Sequence, residues 1–125
     1  MRLSDIISAY RLEGETPSKK NSRQVFRGGL NIPSKNYLKW LKAAEIELFR
    51  QGILCQPISC PIEIRLGFHH SDLLTRDTDN QVSSILDLLK GCNVIADDNW
   101  KIVRRITATA YSDDSAFVEI EIVKF

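Results

Sequence analysis

A chain of 125 residues and 14.2 kDa is expected to hold one domain, spanning residues 1–125, with a core large enough to fold without disulfide or metal staples. Charged residues at 26% and hydrophobic residues at 43% exclude a disordered chain and a membrane-embedded one. The net charge of +1 hides an asymmetry, because residues 1–50 carry ten Lys/Arg against five Asp/Glu and residues 51–125 carry seven against eleven.

In chain order, Ile7 to Leu12 reads as a first strand ending at Glu13-Gly14, and Glu15 to Asn21 as a loop. Gln24 to Arg27 and Leu30 to Ile32, around Gly28-Gly29, fit a β-hairpin. Ser34 is a good N-cap for a helix over about Lys35 to Gln51, which Gly52 stops. Its apolar face is Tyr37, Leu38, Leu41, Ala44, Leu48 and Phe49, a core face. Pro57 to His69 alternates apolar and polar residues and predicts a strand, followed by a loop to Arg76. Val82, Ile85, Leu86 and Leu89 recur at helical spacing and predict a second helix over about Asn80 to Lys90, ended by Gly91. Lys101 to Tyr111 and Ala116 to Phe125 are strand-like, and Ser112-Asp113-Asp114-Ser115 between them predicts a final hairpin. This order implies an α+β fold, a mixed β-sheet with two main helices packed on it.

No repeat, low-complexity tract, signal-peptide core or apolar run of the roughly 18 residues that span a bilayer is present. With an odd count of three cysteines, that absence points to a reducing cytoplasm. Cys55, Cys60 and Cys92 lack the paired spacing of zinc ligands and are expected to be buried apolar residues. His69 and His70 end a strand, one expected to face inward and one outward. Trp40 and Trp100 are read as packing residues rather than platforms for bases.

Between Glu15 and Glu45 stand seven basic residues and no acid: Lys19, Lys20, Arg23, Arg27, Lys35, Lys39 and Lys42. Lys35 and Lys39 fall in the first turns of a helix, where the macrodipole disfavours cations and phosphate contact would rationalise them. Between Leu66 and Trp100 the balance inverts, with six aspartates against Arg76 and Lys90. A basic surface joined to a compact acidic site suits an enzyme that holds a polyanion and works on it with a metal. Solvated faces with chance clustering are the alternative.

The acids concentrate in Arg76-Asp77-Thr78-Asp79-Asn80, where the second helix begins, and in Asp97-Asp98 beyond its end. Two readings fit them. Aspartates at a helix start satisfy free N–H groups and suit the dipole, with no function needed. Alternatively, the return from Gly91 to Asp98 reaches about 25 Å if extended, more than the roughly 16 Å of an eleven-residue helix, so Asp98 can come back beside Asp77 and Asp79. Carboxylates about 4.5 Å apart repel by roughly 3–4 kcal/mol at an effective dielectric of about 20. A divalent cation removes that cost, and an oxygen-only donor set selects a hard ion such as Mg²⁺ or Mn²⁺.

Asp77-Thr78-Asp79-Asn80, then Ile85-Leu86-Asp87-Leu88-Leu89, then Val94-Ile95-Ala96-Asp97-Asp98 resemble the signature of the RusA family of Holliday junction resolvases: D-x-D-N, a helix with a D-x-L segment, and a D-D pair behind hydrophobic residues. Gly14-Glu15-Thr16-Pro17-Ser18-Lys19-Lys20-Asn21 is similar to the family's early G-x-x-P-S-x-N loop. The resemblance implies a homodimeric, Mg²⁺-dependent endodeoxyribonuclease (Mn²⁺ substituting) of DNA recombination and repair. Such an enzyme resolves four-way junctions or other branched DNA by phosphodiester hydrolysis, with no membrane partner. It implies Asp77, Asp79 and Asp98 as catalytic and metal-binding acids, with Asp97 a further metal ligand. Lys19, Lys20, Arg23, Lys35, Lys39 and Arg76 are the expected DNA contacts. Where the family carries a lysine three residues after the motif's asparagine, this chain has Ser83. Lys90 lies two turns further, about 10 Å along the axis, too far to replace it directly; Arg76, Lys19 or Lys20 would have to supply the charge. The alternative is a junction-binding protein with weak or no cleavage.

Overall fold

β4 (Ile62–His70) is an interior strand of the main sheet, and its sequence shows why: Ile62, Ile64, Leu66 and Phe68 are all buried on one face. In the computed structural model, which describes residues 5–18, 23–25 and 31–125, it pairs in parallel with β5 (Val103–Ser112) on one side. On the other it pairs antiparallel with β6 (Phe117–Lys124). β6 in turn pairs antiparallel with β1 (Ile6–Glu13), so the mixed sheet runs β1-β6-β4-β5. Tyr10 and Leu12 of β1 meet Ile120 and Val118 of β6 in register, extending the buried face across three strands. A separate antiparallel pair, β2 (Arg23–Val25) and β3 (Asn31–Pro33), matches the expected hairpin, whose glycine turn lies outside the described residues.

Two helices complete the α+β fold. α1 (Lys35–Gln51) begins where Ser34 Oγ accepts the Tyr37 N–H at 3.1 Å. It ends at Gly52, whose φ of 107° is easy only for glycine and whose N–H returns to Leu48 and Phe49 carbonyls. It buries Tyr37, Ala44 and Leu48, with Leu41 and Trp40 partly buried against the core. Leu38 and Phe49, expected in the core, are 47% and 65% exposed: a helix lying on a sheet buries a narrower arc than its apolar periodicity marks. α2 (Thr78–Gly91) buries Ile85, Leu88 and Leu89 completely and forms the crossover between the parallel strands β4 and β5.

That crossover overturns the expected final hairpin. β5 and β6 are consecutive but not neighbours, because β4 lies between them. The turn after β5 instead bridges the end of β4, where the Asp113 N–H donates to the His70 carbonyl at 2.8 Å. The predicted strand from Pro57 also starts late. Ile58 makes only an isolated parallel bridge to Ile95, and the strand proper begins at Ile62, just after Pro61. Of the cysteines, Cys92 is buried as expected, whereas Cys55 and Cys60 are exposed on the segment joining α1 to β4. Trp100 is 71% exposed and packs into no core.

Candidate active site at the two ends of α2

Each end of α2 carries one part of the acidic motif. Asp77 is the N-cap residue, extended in backbone (φ −86°, ψ 116°), but its side chain makes no capping hydrogen bond. Among the described residues it receives a single long contact, 3.4 Å from Asn80 Nδ2, and it is exposed, as is Asp79 in the first turn. The purely capping account of Asp77 therefore lacks the hydrogen bond it requires.

A pocket opens beside Asp77, lined by Thr16, Pro17, Ser18, Thr75, Arg76 and Gln81. The loop that forms its wall is tied to α2 by buried polar residues: Gln81 Nε2 donates to the Thr16 carbonyl at 2.8 Å and Ser84 Oγ to the Pro17 carbonyl at 2.6 Å. Gln81 Oε1 and Thr16 Oγ1 are buried with no hydrogen-bond partner among the described residues. Such orphaned oxygens are rare and call for a partner.

The strand end behind this pocket holds an ionic network. Arg76 grips Asp72 with two hydrogen bonds of 2.7 and 3.0 Å and lies 3.5 Å from Glu15, which also meets His70 Nδ1 at 2.9 Å. The Arg76 fork, and secondarily the Leu74 N–H, hold the Asp72 carboxyl down to about 2. Arg76, expected to contact DNA, is thus committed to two carboxylates, with its side chain only 21% exposed. His70 faces Glu15, while His69 lies on the opposite sheet face, stacked between Tyr111 and Phe117 and bridging Asp113 and Glu119. The two rings thus lie on opposite faces of the sheet, His70 on the face of Leu66 and Phe68, with side chains 12% (His69) and 19% (His70) exposed.

Asp97 and Asp98 stand at the other end of the helix. Lys90, in its last turn, places Nζ 3.2 Å from Asp97 Oδ1 and 3.8 Å from Asp98 Oδ1. Asp97 also accepts from Asn99 Nδ2 and the Asp98 N–H, and these with Lys90 hold its carboxyl at about 2. Asp97 first among its partners raises the Lys90 ammonium above its usual value. Asp79 and Lys90 are eleven residues apart, about 16 Å along the axis.

The fold therefore does not bring Asp98 beside Asp77 and Asp79 within one chain. Val94 and Ile95 are buried at the start of the return segment, which is held by the Val94 N–H on the Leu89 carbonyl at the end of α2 and by the Ile58 bridge to Ile95. Among the described residues, no three His, Cys, Asp or Glu side chains converge on a point suited to a metal. The oxygen donors around Asp77 are of the kind a hard ion takes, but a single chain supplies two of the three expected carboxylates there.

Of the expected DNA contacts, Lys35 and Lys39 are exposed on α1, and Arg23 is placed only by its backbone in β2. Lys19 and Lys20 lie outside the described residues. Sequence reasoning assigns no site role to Glu15, His70, Asp72, Thr16 or Gln81, although Glu15 and Thr16 fall in the family-like loop. The available signal was Asn80, Gln81 and Ser84, polar residues on the helix face that Ile85 and Leu88 bury.

No curated protein is similar enough to the chain to be matched. No helix among the described residues is long and apolar enough to cross a membrane. The model of the endodeoxyribonuclease RusA family matches residues 13–123, from the end of β1 to the last residues of β6, and the chain belongs to that family of endodeoxyribonucleases.

Proposed function

We propose that this protein is a divalent-metal-dependent endonuclease that resolves four-way DNA junctions, acting as a homodimer in the cytoplasm. The observation that carries the reading is the N-terminal end of α2. There Asp77, freed from capping, lines a pocket whose walls hold two orphaned buried oxygens, with Asp79 following in the first turn, in a chain of an endodeoxyribonuclease family. Asp77, Asp79 and Asp98, with Asp97 beside it, are the acids proposed to hold Mg²⁺ or Mn²⁺. A bound ion of this kind supplies charge stabilisation at a phosphodiester and an activated water. The chain's own part is to present these carboxylates and to hold the DNA backbone through Lys35, Lys39 and the basic run before them. Unbridged, exposed Cys55 and Cys60 suit a reducing compartment.

Ser83 favours a second reading, junction binding with little cleavage, because it leaves the family's lysine position without charge. Calorimetry with Mn²⁺ tests the metal: wild type should bind it and Asp79→Asn should lose most of that binding. Equal affinity in the two proteins would remove the acids from the site.

A further inference from the structure

Leu73 is 99% exposed, the most exposed large hydrophobic side chain among the described residues, and Leu74 next to it is exposed as well. They lie on the loop between β4 and α2, four and three residues before Asp77. A single exposed apolar side chain is ordinary. Two in succession, on a loop that is tied down at both ends, call for a contact.

The ties are polar and leave the leucines uncovered. At the start of the loop the His70 carbonyl accepts the Asp113 N–H at 2.8 Å, and the His70 ring meets Glu15 at 2.9 Å. At the tip, Asp72 Oδ1 accepts the Leu74 N–H at 3.1 Å, which turns the chain. The Arg76 fork grips the same carboxylate from the far end of the loop. Asp72 and Arg76 are the only charged residues from Ser71 to Arg76, and they pair, so the tip carries no net charge to repel phosphates. Thr75 and Arg76 share the pocket wall with Asp77, which sets the loop beside any strand whose phosphate reaches that acid.

The broadest apolar surfaces of DNA are the faces of its bases, and a side chain reaches them only where stacking is broken. We propose that Leu73 is a wedge that enters between bases at the branch point and unstacks them, with Leu74 behind it, while the phosphate to be cut lies at Asp77. This rests on the junction-cleaving reading above and names what selects a junction over linear duplex. Bases at a branch point lack a continuous stack, so they yield at less cost than bases within a duplex. The chain from Leu73 to Asp77 spans at most about 15 Å between Cα atoms. The unstacked bases therefore lie within roughly four nucleotides of the cut, at about 3.4 Å per nucleotide.

The test places aminopurine, whose fluorescence is quenched by stacking, at each base flanking the branch of a synthetic four-way junction. Binding is followed in chelator, so neither metal nor cutting enters the readout. Wild type should raise the fluorescence several-fold beside the branch, and Leu73→Ala should leave every position at its unbound level. A substitution at so exposed a position should not disturb folding. With phosphate contacts intact, the variant should keep the wild-type slope of log affinity against log salt. In Mg²⁺ its single-turnover junction cleavage should fall by about tenfold or more, because the phosphate is no longer held in position. Leu73→Met, apolar and of similar size, should restore both fluorescence and rate. If wild type binds the junction with no rise at any position, or if Leu73→Ala keeps the rise, the wedge is wrong. A change of mass in solution for Leu73→Ala would make the loop a subunit contact and overturn it as well. A wild type that shows the rise but never cuts upholds the wedge and removes the cleavage reading, whereas one that binds no junction removes both.

Discussion

Lys90 Nζ sits 3.2 Å from Asp97 Oδ1, and this ion pair closes the C-terminal end of α2. The helix thus ends in a cation that suits its dipole and begins in two acids that suit the other pole, Asp77 and Asp79. The same pair binds the only base in the last turn to the segment that carries Asp98. Wherever Asp98 acts, Lys90 acts beside it.

Lys90→Ala should therefore lower single-turnover junction cleavage by roughly 10²-fold, the scale of losing one preorganised charge-stabilising donor. Junction affinity should change little. Because the lysine also orders Asp97, the rescue is decisive: Ser83→Lys added to Lys90→Ala should recover most of the rate. Helix propensity barely separates Ser from Lys, so the rescue variant should fold normally. No recovery would mean that Lys90 serves only to hold the Asp97-Asp98 turn.

Stability should fall in acid through Asp72. Its folded carboxyl is depressed to about 2 by Arg76, below the ordinary 3.8, so the unfolded chain binds the proton more readily. The stabilisation is complete above the ordinary value and is lost as pH falls through the folded one. Melting temperature against pH should drop between about 4 and 2 for wild type, and less steeply for Asp72→Asn. Identical slopes would show that the Arg76 fork contributes nothing in solution.

Ser84→Ala should destabilise the protein by about 1 kcal/mol, because it removes the hydrogen bond that Ser84 Oγ gives the partly buried Pro17 carbonyl. Urea unfolding measures this directly. The variant should also expose the pocket wall at Thr16 to Ser18 to faster proteolysis, since the loop then loses its Ser84 tie to α2.

Lys35 and Lys39 are both exposed near the start of α1, against the helix dipole. If they hold phosphate, replacing both by Ala should reduce the slope of log affinity against log salt by roughly 0.9 for each phosphate no longer neutralised. An unchanged slope places the DNA backbone elsewhere.

Local chemistry made some elements readable from sequence and left others hidden. α1 was bounded correctly because its cap and stop are single residues whose hydrogen bonds lie within one turn, Ser34 and Gly52. The placement of α2 followed from its apolar spacing, although the helix starts two residues earlier and includes Gly91. The β5–β6 hairpin failed because a polar turn reports only that the chain reverses. Whether another strand inserts between the two arms depends on long-range pairing, and here β4 does. The acidic residues were legible as a set, but their meeting point was not. A reach of about 25 Å allowed Asp98 to return, whereas burial of Val94 and Ile95 and the bridge to Ile58 keep it at the far end of α2. Likewise Arg76 looked like a free cation, because its partners Glu15 and Asp72 meet it only in the folded chain.

The most direct test incubates wild-type protein and Asp79→Asn with a synthetic four-way junction and with linear duplex of the same sequence, with Mg²⁺ or with chelator. Wild type with Mg²⁺ should release paired nicked duplexes from the junction and leave the linear DNA intact, while the chelated and Asp79→Asn reactions stay uncut. Junction that is bound but uncut by wild type in both Mg²⁺ and Mn²⁺, or cut equally well by Asp79→Asn, would contradict the account.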